Sequence, residues 1–179
     1  MAVPSIHRPC HDSMNVPGEY FITGKTVDGQ KFIQAGERKY EFLDVVINLC
    51  ERHAFELIAW MVADNHYHIK IYSDQVFKIG RFANSLHSIT AKIFNDLDQK
   101  PGRKVWNQYW DRRIRDEKES WTVFNYIHWN PIKHRYAKDL LEATKYRYCS
   151  LGIWHELLGE ELIEVFYEQY PIDQFKPFK

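Results

Sequence analysis

The strongest constraint on the fold is a seven-residue run, HYHIKIY, at residues 66–72. Polar and apolar side chains alternate through it, and side chains two residues apart in a β-strand point to the same face of a sheet. The run therefore predicts a strand with a polar face and an apolar face. The polar face consists of His66, His68, Lys70 and Tyr72, and the apolar face consists of Tyr67, Ile69 and Ile71. The apolar face predicts a hydrophobic core on one side of a sheet.

The segments around this run alternate between strand and helix periods. Aromatic and β-branched residues at 20–23 predict a first strand, and Asp28-Gly29 predicts a hairpin turn that leads into a second strand at 31–33. Further along, the patterns predict a helix at 37–52, followed by strands at 54–62 and 66–72 that are joined by a turn at Asp64-Asn65. A helix at 74–94, capped by Asp74, and an extended segment at 105–114 come next. The last two predicted elements are a helix from Asp116 to Pro131 and a helix at 156–170.

Elements in the order β-α-β-β-α-β-α predict an α+β domain. Helices packed on one face of a mainly antiparallel sheet satisfy this order. We therefore expect a ferredoxin-like antiparallel sheet with helices on one face, followed by a C-terminal helical extension. The predicted organisation is a flexible N-terminal arm at residues 1–17, a domain at 18–152 and a helical tail at 153–179.

Charge is distributed unevenly along the 179 residues. Basic and acidic residues number 24 each, which gives a net charge of +0 and excludes a globally basic nucleic-acid binder. Residues 100–147, however, hold 12 Lys and Arg against 6 Asp and Glu, a local charge of +6, beside Trp106, Tyr109 and Trp110. A basic stripe with aromatic residues suits phosphate contacts and base stacking, although an ordinary solvated face has the same composition.

Cellular location is constrained by two absences in the sequence. No apolar run is long enough to span a bilayer, and the N-terminal segment lacks the apolar centre of a signal peptide. Cys10, Cys50 and Cys149 are widely spaced and odd in number, which favours free thiols in a reducing compartment. We therefore expect a cytoplasmic protein that has no membrane partner.

Two histidines on one strand face are the first candidates for chemistry. His66 and His68 can converge on one cation, but a chain with 9 histidines forms such a pair by chance, so a solvent-facing strand is equally compatible. A third ligand is usual for a divalent ion. Tyr126 and Asn130 lie four residues apart on one helical face and can supply a nucleophilic hydroxyl and an amide oxygen. Equally, Tyr126 can be a core aromatic residue and Asn130 the polar end of its helix.

Two stretches carry a resemblance to a known family. The run IAWMVADNHYHIKIY at 58–72 resembles the signature of the HUH transposases, in which two histidines flank a bulky hydrophobic residue. The run VWNQYWDRRIRDEKESWTVFNYIHWNPIKHRY at 105–136 is similar to the second signature of the single-tyrosine branch, and especially to that of the REP-associated tyrosine transposases. The resemblance covers roughly residues 20–152, and HYH followed at this distance by YIHWNPIK is its specific part.

The resemblance implies roles for particular residues. His66 and His68 match the metal-binding pair, Tyr126 matches the nucleophile, and Asn130 stands where relatives place a polar side chain that completes the metal site. Tyr67 fills a position that is more often aliphatic. The implied activity is Mg²⁺- or Mn²⁺-dependent cleavage and strand transfer of single-stranded DNA beside a hairpin, through a 5′-phosphotyrosine, by a homodimer. For DNA binding we expect residues of the basic segment, namely Arg103, Lys104, Trp106, Arg112, Arg113, Arg115 and Lys133.

Two other functions remain open from the sequence. One is a catalytically silent or domesticated protein of the same fold that binds hairpin DNA. The other is an unrelated metallohydrolase built on His66 and His68, which needs a further ligand. Asp64 is the nearby acidic candidate for that ligand, and no HExxH-type motif is present.

Overall fold

One antiparallel sheet contains four strands, β1 (Gly18–Lys25), β2 (Glu56–Val62), β3 (His66–Ser73) and β4 (Trp110–Arg113), in the order β2-β3-β1-β4. The computed structural model describes residues 16–34, 36–74, 78–173, 175 and 177. The predicted arm at residues 1–17 therefore lies almost wholly outside the described residues. Six helices occur in the described chain: α1 (Gly36–His53), α2 (Ile79–Leu97), α3 (Glu117–Lys133), α4 (Leu140–Ala143), α5 (Leu151–Leu158) and α6 (Glu160–Gln169).

The alternating run is an inner strand of the sheet. β3 pairs with β1 along its whole length on one side and with β2 on the other, so both of its edges are hydrogen-bonded. Seven of its eight residues are at most 9% exposed, the exception being Tyr72. The strand predicted from the alternation is confirmed, and its polar face is covered rather than open to solvent.

Two hydrophobic cores lie on opposite faces of the sheet. The apolar face of β3 packs against α1 and α2, in a cluster that includes Phe42, Val46, Phe82 and Leu86. The other face packs against α3 and the C-terminal helices, in a cluster that includes Met61, Val123, Ile127, Leu151 and Ile163. The predicted α+β fold, an antiparallel sheet with a C-terminal helical extension, is confirmed. Helices α1 and α2 share one face of the sheet, as predicted. α3 takes the opposite face because it has its own apolar stripe to bury.

The hairpin predicted at Asp28-Gly29 is wrong. Residues Val27–Gly29 form a short 3-10 turn in which Asp28 and Gly29 have φ angles of 52° and 67°, and no strand follows at 31–33. A returning strand would need an edge of β1, but β1 is already paired with β3 on one side and β4 on the other. The chain instead leaves the sheet and enters α1.

Two helix predictions also differ from the structure. Asp74 does not cap α2, since that helix begins at Ile79 after Lys78. The predicted last helix is two helices, α5 and α6, separated at Gly159, whose φ of 82° favours glycine. α5 straddles the predicted boundary between residues 152 and 153, which remains a prediction. No helix in the described part of the chain is long and apolar enough to cross a membrane.

Candidate functional site

The two predicted metal ligands lie side by side beneath α3. His66 and His68 occupy the polar face of β3, where the ring centroids are 5.1 Å apart and the side chains are 9% and 1% exposed. The spacing follows from the pleat of the strand, which places residues i and i+2 on one face. His68 is packed between the rings of Phe21, at 5.5 Å, and Tyr126, at 5.1 Å.

α3 supplies the remaining predicted residues. Asp116 caps this helix by accepting a hydrogen bond from the Glu119 backbone N–H at 2.8 Å, as the sequence predicts. Pro131 lies within the last turn, so α3 continues to Lys133 before it ends. Tyr126 and Asn130 therefore lie one turn apart over the histidines, which brings all four predicted chemical residues together in one chain.

Asn130 offers the oxygen atom best suited to a metal among these residues. Its side chain is fully buried and its Nδ2 donates to the Tyr126 backbone carbonyl at 2.5 Å. Its Oδ1 is buried and has no partner within hydrogen-bond distance among the described residues, and the amide lies close enough to both imidazoles to affect their protonation. An orphaned buried carbonyl oxygen is costly unless something binds it. Imidazoles suit first-row transition dications, and an amide oxygen suits harder ions such as Mn²⁺ and Mg²⁺, so the set fits a divalent metal.

Burial keeps the histidines in the form that binds metal. It lowers the pKa of His66 to about 4, helped by the nearby His134, and lowers the pKa of His68 well below its ordinary value, helped by His66. Both rings are therefore neutral at neutral pH and keep a lone pair. Burial also raises the pKa of the Tyr126 phenol, so that this hydroxyl is protonated in the resting protein.

Two further residues lie beside the site: Lys133, which the sequence analysis names for DNA binding, and His134, which it does not single out. Lys133 places its ammonium 5.0 Å from the centroid of the Tyr126 ring, and the ring of His134 lies 4.6 Å from that of His66. The signal for His134 was the helical spacing of residues 126, 130 and 134, which the expected break at Pro131 concealed. In the described chain no three His, Cys, Asp or Glu side chains form a group that could hold a metal. The further donor that lies beside both His66 and His68 is the Asn130 amide.

An aromatic side chain from the C-terminal segment covers the phenol. The ring of Phe175 lies 4.6 Å from that of Tyr126 and 5.7 Å from that of Phe21. The guanidinium of Arg112 also packs on Phe175, 4.8 Å from its ring centroid. Tyr126 is only 5% exposed as a result, so a large substrate needs Phe175 to move before it reaches the hydroxyl.

The residues predicted to bind DNA have different environments in the structure. Trp106 does not fit the predicted role, because its indole is buried in the core, donates to Thr90 Oγ1 at 2.9 Å and cannot stack on a base there. Arg103 pairs with Asp98, and Arg112 pairs with Glu119. Arg113 lies in β4 and is partly buried. Exposed positions remain for Lys104, Arg115 and Lys133.

Asp64 does not join the histidines as the metallohydrolase hypothesis requires. Its Oδ1 accepts from the buried Lys39 ammonium at 2.7 Å, and Lys31 lies 3.7 Å from Oδ2. The hydrogen bond and charge of Lys39 outweigh burial and lower the pKa of the Asp64 carboxyl. The carboxylate is therefore neutralised by lysines rather than directed at a metal.

Fold and sequence together place the chain in a known family. It belongs to the IS200-like transposases, whose family model matches residues 27–130 and so includes His66, His68, Tyr126 and Asn130. The chain is 28% identical over 133 residues to a REP-associated tyrosine transposase of Haemophilus influenzae, a match that covers 66% of this chain and 75% of that protein. A solved REP-associated tyrosine transposase, bound to a REP hairpin, shares the fold with a TM-score of 0.59 and 19% identity over 89% of this chain and 86% of the other.

Proposed function

We propose that this protein cleaves single-stranded DNA beside a hairpin and transfers the strand, with Tyr126 as the nucleophile. The observation that carries the proposal is the convergence of the Tyr126 ring on His68, at 5.1 Å, next to the orphaned Asn130 oxygen. Family membership supports a transposase, and the solved relative bound to a REP hairpin supports a hairpin as the DNA partner.

His66, His68 and Asn130 would hold a Mg²⁺ or Mn²⁺ ion. When bound, such an ion supplies a Lewis acid that polarises the scissile phosphate and stabilises charge in the transition state. The protein's part is to keep both imidazoles neutral by burial and to orient the Asn130 amide through the hydrogen bond that its Nδ2 donates to the Tyr126 backbone carbonyl. These contacts set the donor atoms in place before substrate arrives.

Tyr126 Oη would attack phosphorus in line. The new O–P bond replaces the bond to the 3′ oxygen, which leaves as a 3′-hydroxyl after taking up a proton, while the phenol loses its own proton. The product is a 5′-phosphotyrosine and a free 3′ end. The raised pKa of the phenol makes deprotonation costly, and the Asn130 amide partly offsets this cost by favouring the phenolate. Because the phosphotyrosine retains the phosphodiester bond energy, another 3′-hydroxyl can rejoin the strand.

The tyrosine and the histidines that it serves belong to the same chain in this structure. We propose a homodimer as the form that binds DNA, with each site completed within its own subunit. Sedimentation of the protein with and without hairpin DNA tests the dimer.

A denaturing gel tests the nucleophile. The protein is incubated with labelled single strands that carry a hairpin, in Mn²⁺, and a covalent, protease-sensitive adduct is expected. Tyr126→Phe should abolish the adduct, whereas Tyr72→Phe, an exposed tyrosine on β3, should retain it. An adduct of normal yield in Tyr126→Phe would remove the nucleophile assignment, and so would the absence of an adduct with every substrate tested.

A catalytically silent hairpin-binding protein is the second candidate. The cover of Phe175 over Tyr126 favours it, because a covered phenol cannot attack. The same assay separates the two: hairpin binding without an adduct, even in Phe175→Ala, supports the silent protein.

A further inference from the structure

We propose that Asn65 is a positioning residue that sets the tautomer and the orientation of His66, so that Nε2 of this imidazole is the atom presented to the metal. The inference rests on the proposed function, because it concerns the same metal site. Asn65 lies in the turn between β2 and β3, immediately before the first histidine.

The hydrogen bonds of Asn65 define which of its side-chain atoms faces the ring. Nδ2 lies 2.9 Å from the Gly29 backbone carbonyl, which can only accept, so the amide nitrogen must be the atom on that side. The amide oxygen is thereby directed to His66, where Oδ1 lies 2.8 Å from Nδ1. Since Oδ1 can only accept, Nδ1 carries the hydrogen in this bond. A neutral His66 therefore has its lone pair on Nε2.

The backbone of Asn65 is held by the same turn that replaces the predicted hairpin. Its carbonyl accepts from the Thr26 backbone N–H at 2.9 Å and from Thr26 Oγ1 at 3.1 Å. The turn closes at Gly29, whose positive φ presents the carbonyl to the Asn65 amide. Asn107 braces the turn from outside by donating to the Thr26 carbonyl at 3.1 Å. Asn65 is thus a fixed reference for the imidazole rather than a mobile surface amide.

The two histidines differ in what restrains them. His68 is 1% exposed and its ring packs against those of Phe21 and Tyr126, which restrict its rotation, and its buried Nδ1 has no hydrogen-bond partner within the described chain. His66 lies nearer the rim of the site and is more exposed. Its ring needs a polar restraint against rotation about χ2, and Asn65 supplies it. Partners of this kind change metal affinity by about 10–100-fold.

Metal binding by four full-length proteins tests the inference. Free Mn²⁺ is titrated with protein and followed by electron paramagnetic resonance, without DNA. Asn65→Ala should bind Mn²⁺ about 10–100-fold more weakly than the wild type. Asn65→Asp should restore most of the affinity, because a carboxylate accepts the Nδ1–H bond although it cannot donate to Gly29. Asn107→Ala, which loosens the same turn without touching His66, should bind like the wild type, and thermal unfolding confirms that each variant is folded.

A second readout is independent of metal. The ¹⁵N shifts of His66 in the metal-free protein should report the Nδ1–H tautomer in the wild type and in Asn65→Asp, and a shift toward Nε2–H in Asn65→Ala. An unchanged tautomer in Asn65→Ala would overturn the inference, as would wild-type Mn²⁺ affinity in that variant. An Asn65→Asp protein as impaired as Asn65→Ala would show that only the Gly29 bond matters, which also overturns it. Mn²⁺ binding that survives His66→Ala would instead overturn the proposed metal site, while the tautomer still tests Asn65.

Discussion

Several side chains act on the Tyr126 phenol in different ways. Burial raises its pKa and keeps it protonated, the Asn130 amide partly offsets this rise, and Phe175 packs against the ring. The ring contacts of Phe175 are with Phe21 and Tyr126 rather than with the imidazoles, so we expect its removal to leave the histidines in place. Access of DNA to the Tyr126 hydroxyl and the protonation of that hydroxyl therefore depend on different residues.

Removal of the aromatic cover should increase cleavage. In Phe175→Ala the Tyr126 hydroxyl becomes accessible, and we expect the rate of adduct formation to rise several-fold with hairpin DNA in Mn²⁺. Tyr170→Ala, which removes a C-terminal aromatic that packs on Trp121 rather than on Tyr126, is the matched control and should leave the rate unchanged. An unchanged rate in Phe175→Ala would show that the cover does not limit access.

At the scale of elements, the stability of α3 matters most because this helix carries the phenol and the amide. Asp116→Ala removes the acceptor for the Glu119 N–H and should lower the free energy of unfolding by about 1 kcal/mol. Asp139→Ala removes the same cap from the four-residue α4, where the Glu142 N–H bond is 2.7 Å, and should cost less because fewer contacts depend on that helix. Urea unfolding measures both, and equal losses would contradict this ranking.

Sequence patterns correctly predict those strands and helices whose position depends only on which of their faces is buried. The alternation at 66–72 predicts β3 and both of its faces, and helical spacing predicts that Tyr126 and Asn130 share a side of α3. The hairpin prediction fails because a turn signal is local, whereas the pairing of both edges of β1 is not. Asn65 escapes prediction for a similar reason: its amide is oriented by Gly29, which lies 36 residues away in the sequence.

For the whole molecule, buried histidines make stability depend on pH. Burial holds the pKa of His87 at about 4 and that of His128 at about 3, the latter helped by the charge of Lys70, against an ordinary value of 6.5. The unfolded chain therefore binds more protons below pH 6.5. Stability is fully present above that pH and falls, by about 1.4 kcal/mol per pH unit for each histidine, toward pH 4.

Urea unfolding of the metal-free protein between pH 7.5 and 5 should show this loss as a falling midpoint. His87→Gln removes one titrating group. Once the lower stability of this variant at pH 7.5 is subtracted, the slope of its unfolding free energy against pH should be smaller by the contribution of about one proton. A midpoint that stays constant across this range would contradict the assignment of both histidines as neutral in the folded protein.

Hairpin binding should weaken as salt increases, because the basic segment at 100–147 carries a local charge of +6. Ion pairs already engage Arg103 and Arg112, so exposed residues such as Lys133 are expected to make the phosphate contacts. Lys133→Ala should reduce the slope of log K against log salt by about 1, whereas Lys92→Ala, an exposed lysine on α2, should not change it. Affinity that is insensitive to salt would contradict the role of this segment.

The location of the histidine pair on an inner strand has a dynamic consequence. β3 is hydrogen-bonded along both edges, so its amides should exchange with deuterium among the slowest in the protein. α3 contacts the sheet through side chains and through its Ser120 backbone carbonyl, which accepts from Lys70 Nζ at 3.3 Å. A transient lifting of α3 would carry away the Tyr126 hydroxyl and the Asn130 amide, yet leave the imidazoles at their spacing. The proposed nucleophile would then disengage and return to an intact pair of imidazoles, as the proposed cycle of cutting and joining requires.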